Sequence, residues 1–300
     1  MARMITRQAK LTWLVCALLP GLWACAPLPQ PILTPSLALP TITPSPLPPT
    51  IAPTATPLAC LTQPGRVEQG ILKTTKPPQE YLIYLPPCYD QQTDLRYPVL
   101  YLLNGVKASD TQWVDIGAVT VADRLILSDQ APPFIMVFPN DPYWNSPAGS
   151  EFGDRLINHL IPYIDQNYRT LADRMHRSLG GLSRGGGWTL ELGLKNPSLF
   201  GSLGLHSSVV FVDDSASVQE WIAAIPPESF PRLWLDIGDQ DTGLGAARLL
   251  EDLLAQAGII HEFHVFSGDH SEAYWSRHVD EYMRWYVQAW MLAPESTPEP

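Results

Sequence analysis

The sequence predicts an α/β fold in which a mostly parallel sheet carries helices on both faces. Short, nearly continuous apolar runs alternate with longer amphipathic runs between residues 61 and 292. The first pattern is typical of strands buried on both faces, and the second of helices packed on a sheet. The chain has 300 residues, 45% of them hydrophobic, which suffices for one large core in a single domain at 61–292.

The apolar and amphipathic runs give the elements in order. The predicted strands are 81–85, 99–103, 134–138, 178–182, 202–205, 233–237 and 262–266, and the predicted helices are 152–168, 186–195, 245–256 and 272–290. Because the carboxyl ends of parallel strands meet at one edge of a sheet, residues far apart in sequence are expected to come together there.

The first 25 residues have the pattern of an export signal. Three basic residues fall within the first ten, and the apolar run 11–22 is too short to span a membrane comfortably. Residues 22–25 resemble the lipobox of bacterial lipoproteins, although Trp23 is bulkier than that pattern prefers. The resemblance implies a lipoprotein-type signal peptide, lipidation of Cys25, and a secreted or cell-surface location with membrane attachment. Simple secretion and an uncleaved anchor are the alternatives.

The stretch 26–60 contains eleven prolines and no charged residue. Such a composition cannot bury a core, so it is predicted to be an extended linker. The tail 293–300 is predicted to be disordered. Cys60 and Cys88 are the two cysteines outside the leader, and we expect a disulfide between them in an oxidising compartment, with two free thiols as the alternative.

The net charge of -11 opposes binding to nucleic acid, because phosphates would be repelled. The sequence contains no phosphate-binding loop, dinucleotide fingerprint or zinc motif, so neither a cofactor nor a metal is predicted. His261 and His264 point to opposite faces of one predicted strand, which argues against a shared ligand. His206 follows a strand and is interpreted as a structural histidine, with a place in a pocket as the alternative. The oligomeric state is left open.

The strongest motif is Gly181-Leu182-Ser183-Arg184-Gly185, between a predicted strand and a predicted helix. A G-x-S-x-G sequence at such a turn lifts a nucleophilic serine above the sheet, and the glycines avoid clashes. In the alternative interpretation, this segment is only a flexible turn with a capping serine. The residues further along the chain distinguish these interpretations.

Two later strands lead into the residue types that a nucleophilic serine needs. Strand 233–237 is followed by Asp239 and Asp241, and strand 262–266 by His270. The order serine, acid, histidine is that of an α/β-hydrolase triad, in which the histidine takes the serine proton and the carboxylate orients the imidazole. From the residues alone, either aspartate could be the acid. The backbone N–H groups of Arg184 and Val106 are the predicted oxyanion donors.

The chain resembles the esterase D family of α/β-hydrolases, which includes feruloyl esterases, enterochelin esterases and the antigen 85 mycolyltransferases. The blocks that carry the resemblance are Tyr84-Leu85-Pro86-Pro87, Tyr97 to Leu103, Leu160 to Ile164, Gly180 to Ser183, and Gly268-Asp269-His270 followed by Trp275. The resemblance implies nucleophile Ser183, acid Asp241 and base His270. The chain departs from it at Asn104, where the family commonly has histidine, and at Arg184, where it commonly has methionine.

Several large side chains are predicted near the same edge and are candidates for a substrate pocket. They are Asn104, Trp113, Tyr143, Trp144, Trp188 and Trp275. The aromatic rings in this set could stack on a sugar or phenolic group, although at least half of these aromatic residues are expected in the core. For Arg184, the alternatives are a contribution to the acyl pocket and a structural ion pair with a loop carboxylate.

Three functions are compatible with these features. The first is an extracellular serine esterase acting on carbohydrate-linked or phenolic esters, such as feruloyl or acetyl esters, through an acyl-enzyme. The second is an acyltransferase that passes the acyl group to a sugar or lipid hydroxyl. The third is a non-catalytic surface lipoprotein that binds glycans. The complete triad order favours the first two over the third.

Overall fold

The computed structural model describes residues 59–142 and 151–291. The predicted leader with Cys25, almost all of the linker 26–60, Tyr143, Trp144 and the tail 293–300 lie outside the described residues. Within the described part, no helix is both long enough and apolar enough to cross a membrane.

Eight strands form one mixed sheet in the order β1-β2-β4-β3-β5-β6-β7-β8. The strands are β1 Arg66–Leu72, β2 Gln79–Leu85, β3 Val99–Leu103, β4 Ile135–Pro139, β5 Arg177–Leu182, β6 Ser202–His206, β7 Arg232–Gly238 and β8 Glu262–Phe266. The first two are antiparallel to their neighbours, and the pairs from β4 to β8 are all parallel. The predicted α/β fold with a mostly parallel sheet is therefore confirmed.

Helices cover both faces of this sheet. They are α1 Gln112–Asp115, α2 Ala118–Leu127, α3 Phe152–Asp154, α4 Ile161–Asn167, α5 Arg184–Lys195, α6 Val218–Ala224, α7 Leu244–Gln256 and α8 Glu272–Met291, with a π-helical segment Arg155–Leu160 between α3 and α4. Residues of α1, α2 and α8 pack in one apolar cluster, and residues of α3 to α7 pack in the other. The two clusters lie on opposite sides of the sheet because successive strand residues point to opposite faces.

The central strands explain this arrangement. Every residue of β3, β4, β5 and β6 is buried, as expected for parallel strands with helices on both faces. By contrast, β1 is mostly exposed at the edge of the sheet, and the sequence did not predict it. Helices α1, α2 and α6 were also missed, and the predicted helix 152–168 is divided by the π-helical segment.

A disulfide joins Cys60 to Cys88, with the two Cα atoms 5.1 Å apart. Cys60 lies in a short 3-10 helix, Ala59–Thr62, ahead of β1, and Cys88 follows β2. The bridge therefore fastens the start of the described chain to the segment after the second strand.

Candidate active site

Ser183 occupies a sharp turn between β5 and α5. It has a positive φ of 55° with ψ of −112°, a strained backbone conformation for a residue with a side chain. Its N–H donates to His206 O at 2.9 Å. The side chain makes no capping hydrogen bond to α5, so the serine does not serve as a helix cap.

The glycines on either side of Ser183 are required by close packing. A Cβ at Gly181 would lie 2.1 Å from the carbonyl carbon of Gly185, and a Cβ at Gly185 would lie 2.4 Å from Leu103 O. Both neighbours are backbone atoms, which cannot move aside cheaply. The G-x-S-x-G spacing thus allows the strand, the turn and the helix to approach one another.

His270 and Asp241 form a hydrogen-bonded pair. His270 Nδ1 lies 2.7 Å from Asp241 Oδ2, and Asp241 Oδ1 accepts from the N–H of Gly243 at 2.8 Å. Asp241 is buried, whereas the His270 side chain is 36% exposed. With Nδ1 donating to the carboxylate, the neutral ring carries its lone pair on Nε2, as a general base requires.

Asp239, the other candidate acid, has a different partner. Its Oδ1 accepts from Gly268 N at 2.9 Å, and its own N–H donates to Phe266 O at 2.8 Å. Gln240 N donates to Gly268 O at 2.8 Å. Asp239 thus fastens the loop after β7 to the loop after β8, and Asp241 is the carboxylate that contacts the imidazole.

Ser183 and His270 line the same cavity, whose volume is about 260 Å³. Val106, Gln112, Glu272 and Trp275 are also in its lining. Within the ranges that the structure describes, no hydrogen bond joins the Ser183 hydroxyl to the His270 ring. Catalytic hydrogen bonds are often long without substrate and tighten in the complex.

The two predicted oxyanion donors lie on separate elements, one of them directly after Ser183 and the other in the lining of the cavity. Arg184 is the first residue of α5, and the first N–H groups of a helix have no acceptor within the helix. Val106 follows β3 and lines the cavity. The N–H of its neighbour Gly105 donates to Gln112 Oε1 at 2.8 Å. The buried Gln112 side chain therefore fixes the backbone of the loop that contains Val106.

Of the candidate pocket residues in the described part, only Trp275 lines the cavity. Its ring packs edge-on against His270, with centroids 5.2 Å apart, and its Nε1 donates to Ser207 Oγ at 3.1 Å. Asn104, Trp113 and Trp188 were also predicted for the pocket; all three are buried, and none is in the lining of this cavity. Sequence places a side chain after a strand but does not give its depth.

The polar atoms of these buried residues have partners within the protein. Trp113 Nε1 donates to Leu103 O at 2.9 Å, and Trp188 Nε1 donates to Asp141 Oδ2 at 2.9 Å. Arg184 Nε also contacts Asp141 Oδ2, at 2.8 Å. The structure therefore contains an ion pair between Arg184 and a loop carboxylate, which was one of the two interpretations of Arg184.

Sequence reasoning missed a buried network centred on Asp236 in β7. Its carboxylate accepts hydrogen bonds from His206, Trp234, Tyr274 and Tyr282, at 2.6 to 2.9 Å. His206 Nε2 contacts the Tyr286 hydroxyl at 2.9 Å, so His206 is a structural histidine. Burial, and then the negative charge of Asp236, raise the pKa of Tyr274 and Tyr282 well above the usual value. The sequence signal was a single aspartate in an otherwise apolar strand.

Outside the masked segments, no group of three or more His, Cys, Asp or Glu side chains is arranged to hold a metal ion. The chemistry available at the site is that of a hydroxyl, an imidazole, a carboxylate and backbone N–H groups. This set suits nucleophilic acyl transfer.

Comparison with known proteins decides the family. The family model described as Putative esterase matches residues 73–286, which is most of the chain. The chain belongs to this esterase family. The match spans β2 to α8 and includes Ser183, Asp241 and His270, and it confirms the resemblance inferred from sequence.

Two of the curated relatives are named as endo-1,4-beta-xylanases, and one of these is also named as a feruloyl esterase. An endo-1,4-beta-xylanase/feruloyl esterase from Xylanibacter ruminicola is 32% identical over 201 residues, 60% of this chain. The alignment covers 27% of that relative, and for endo-1,4-beta-xylanase Y from Acetivibrio thermocellus it covers only 12%. The chain therefore matches only a minor part of each of these longer proteins.

Solved structures agree with the fold. A ferulic acid esterase of 25% identity superposes with a TM-score of 0.68, covering 76% of this chain and all of the other. A feruloyl esterase module from Clostridium thermocellum, complexed with sinapinate, gives a TM-score of 0.67 at 18% identity and covers 81% and 95% of the two chains. The second likeness concerns the fold alone.

Proposed function

We propose that this esterase hydrolyses carboxylic esters with Ser183 as nucleophile, His270 as general base and Asp241 as the orienting acid. The observation that carries the proposal is the 2.7 Å contact between His270 Nδ1 and Asp241 Oδ2, at a cavity that Ser183 also lines. Membership of the esterase family supports the reaction class.

The proposed reaction has two acyl-transfer steps. Ser183 Oγ attacks the ester carbonyl while its proton passes to His270 Nε2, and the N–H groups of Arg184 and Val106 stabilise the tetrahedral oxyanion. The protonated histidine then gives its proton to the leaving alcohol, which leaves an acyl-enzyme. Water, deprotonated by His270, releases the acid and restores Ser183.

We propose carbohydrate-linked or phenolic esters, of the feruloyl or acetyl type, as the substrate class. The names of the Xylanibacter relative and of the ferulic acid esterase structure support this choice. Within the site, Trp275 offers an aromatic surface beside His270, on which a planar ring or a sugar can pack.

Turnover of methyl ferulate and p-nitrophenyl acetate tests the reaction. Ser183→Ala is expected to lower kcat by at least about 1,000-fold, because it removes the attacking atom. Ser215→Ala is the matched control, since its exposed hydroxyl donates to a nearby carbonyl, Val212 O, and it should keep wild-type kcat. Equal rates for wild type and Ser183→Ala would exclude the proposal.

Product analysis separates hydrolysis from acyl transfer. With a sugar acceptor present, the proposal predicts free acid as the product. An acylated sugar as the main product would replace hydrolysis with transfer, while leaving the three catalytic roles intact.

We further propose that the protein is exported and anchored through lipid at Cys25. The basic start, the apolar run and the lipobox-type sequence support this proposal, and the Cys60–Cys88 disulfide suits an oxidising compartment. Metabolic labelling with a fatty acid should mark the wild-type protein and leave Cys25→Ala unmarked. A wild-type protein that carries no fatty acid would contradict lipid anchoring.

A further inference from the structure

Asp141 connects two parts of the site that lie on different elements. It follows β4. In the sheet, β4 pairs with β3, and β3 pairs with β5 on its other side. Asp141 thus lies just beyond the carboxyl end of β4. The loop that contains Val106, here called the Val106 loop, follows β3, and the turn that contains Ser183, here called the Ser183 turn, follows β5. The Asp141 side chain is only 1% exposed, so its contacts are shielded from water.

The backbone of Asp141 holds the Val106 loop through Asn104. Its N–H donates to Asn104 Oδ1 at 3.1 Å, and its carbonyl oxygen lies 3.3 Å from Asn104 Nδ2. The same Asn104 amide contacts the carbonyls of Gly105 and Ala108 at 2.9 and 3.2 Å. The position of Val106, between those two residues, is thus tied to the backbone of Asp141.

The carboxylate of Asp141 holds the Ser183 turn from the other side. Its Oδ2 accepts from Arg184 Nε at 2.8 Å and from Trp188 Nε1 at 2.9 Å. The Arg184 guanidinium also lies 5.7 Å from the ring centroids of Trp188 and Phe211. The residue after the nucleophile is therefore fixed by charge, hydrogen bonding and aromatic packing.

We infer that Asp141 is a positioning residue that sets the spacing between the oxyanion donors Val106 N–H and Arg184 N–H. This inference rests on the proposed esterase function. Oxyanion donors are effective only when held where the charge develops, and an error of about 1 Å in geometry can cost about 100-fold in rate. Because Asp141 contacts both segments that carry the donor N–H groups, it limits such errors in their positions.

A purely structural ion pair is the rival explanation, and the chain offers a matched control for it. Asp165 Oδ2 contacts Arg177 Nη2 at 2.6 Å, with the arginine side chain 4% exposed. Arg177 begins β5, whereas Arg184 follows the end of the same strand. The control pair thus lies at the opposite edge of the sheet from Ser183.

The test compares Asp141→Asn with Asp165→Asn in the purified protein. An aryl trifluoromethyl ketone is the probe, because Ser183 Oγ adds to its carbonyl carbon and creates an oxyanion in the predicted hole. For Asp141→Asn, we expect kcat to fall about 10 to 100-fold and the inhibition constant of the ketone to rise by the same factor. KM for p-nitrophenyl acetate should change less than about twofold. For Asp165→Asn, a lower Tm with unchanged kcat and ketone affinity is expected.

If Asp141→Asn does not fold, the double variant Asp141→Asn with Arg184→Met carries the test. It removes both charges of the Asp141–Arg184 pair, and it should show the same parallel loss of kcat and ketone affinity. Wild-type kcat in either folded variant, a change in KM alone, or an equal loss of kcat in Asp165→Asn would overturn the inference.

The inference and the proposed function can fail separately. If wild type turns over esters and Ser183→Ala does not, the esterase proposal stands whatever Asp141→Asn does. If wild type neither hydrolyses the ester nor binds the ketone, both fail together.

Discussion

At the scale of the residue, the sequence predicted which side chains come together better than it predicted how deeply each one is buried. Ser183, Asp241 and His270 were predicted because triad chemistry needs a serine, an orienting acid and a base, and because they follow the chain order of an α/β-hydrolase. The choice between Asp239 and Asp241 could not be made from the residues alone, since both follow the same strand. The structure gives each aspartate a distinct contact.

Asp241→Asn is therefore expected to lower kcat by about 1,000 to 10,000-fold, because an amide at this position favours the wrong histidine tautomer. Asp239→Asn keeps the shape of the loop and should cost about tenfold or less. Steady-state kinetics on p-nitrophenyl acetate measures both. The reverse ranking would show that Asp239 is the acid.

Asp214, between β6 and α6, gives a prediction about pH. Burial, together with the negative charge of Glu191, raises its pKa to about 6, and Lys195 opposes the shift. The ordinary value for an aspartate is about 4. A raised carboxyl pKa means that the folded state favours the protonated form, so stability is lost as pH rises from about 4 through 6.

Asp214→Asn should therefore raise Tm at pH 8 and leave it nearly unchanged at pH 3.5. The exposed neighbour Asp213 provides the control, since Asp213→Asn should shift Tm less at pH 8. Thermal unfolding followed by circular dichroism at the two pH values measures the difference. A stabilisation of the same size at both would contradict the assigned pKa.

At the scale of the element, strands were predicted where burial on both faces makes them continuously apolar. The prediction for β3 matched at both ends, and those for β5 and β7 within one residue. Edge strand β1 was missed because its sequence, RVEQGIL, is polar and mostly exposed. Helix α2 was missed as well, and its first turns contain the β-branched residues Val119, Thr120 and Val121, which lower helix propensity.

The turn between β5 and α5 is the element on which the site depends. Gly185→Ala should destabilise the protein by about 1–3 kcal/mol and lower kcat, because the new Cβ would overlap the backbone of Leu103. Gly245→Ala in α7 is the matched control, since nothing lies within 4 Å of its added Cβ. That change should be neutral or stabilise by up to about 1 kcal/mol.

Urea denaturation of both glycine variants, with activity measured below the transition, provides the comparison. If Gly185→Ala matches wild type in stability and kcat, the turn is not as closely packed as described.

At the scale of the whole molecule, the parallel sheet brings the loops after β3, β5, β7 and β8 to one edge. Sequence predicted this convergence because it follows from parallel pairing alone. It did not predict the links between those loops, such as Asp141 and the Asp236 network. These depend on side chains from three or more elements meeting at one buried point.

The Cys60–Cys88 disulfide also acts on the whole molecule. Its cysteines are 28 residues apart, and closing a loop of that length should stabilise the fold by about 3.6 kcal/mol through the unfolded state. Replacing both cysteines with serine should lower the free energy of unfolding by about this amount and leave kcat unchanged, because neither residue lines the cavity of Ser183. A loss of activity in the folded double-serine variant would contradict the expectation that the disulfide affects stability and not catalysis.

Peptide mass spectrometry after treatment with a fluorophosphonate probe would locate the nucleophile itself. We predict one stable adduct per chain, located on Ser183, with labelling slowed at least about 100-fold in His270→Ala because the base is missing. Labelling at another residue, no labelling of the folded protein, or equal rates in wild type and His270→Ala would contradict this prediction.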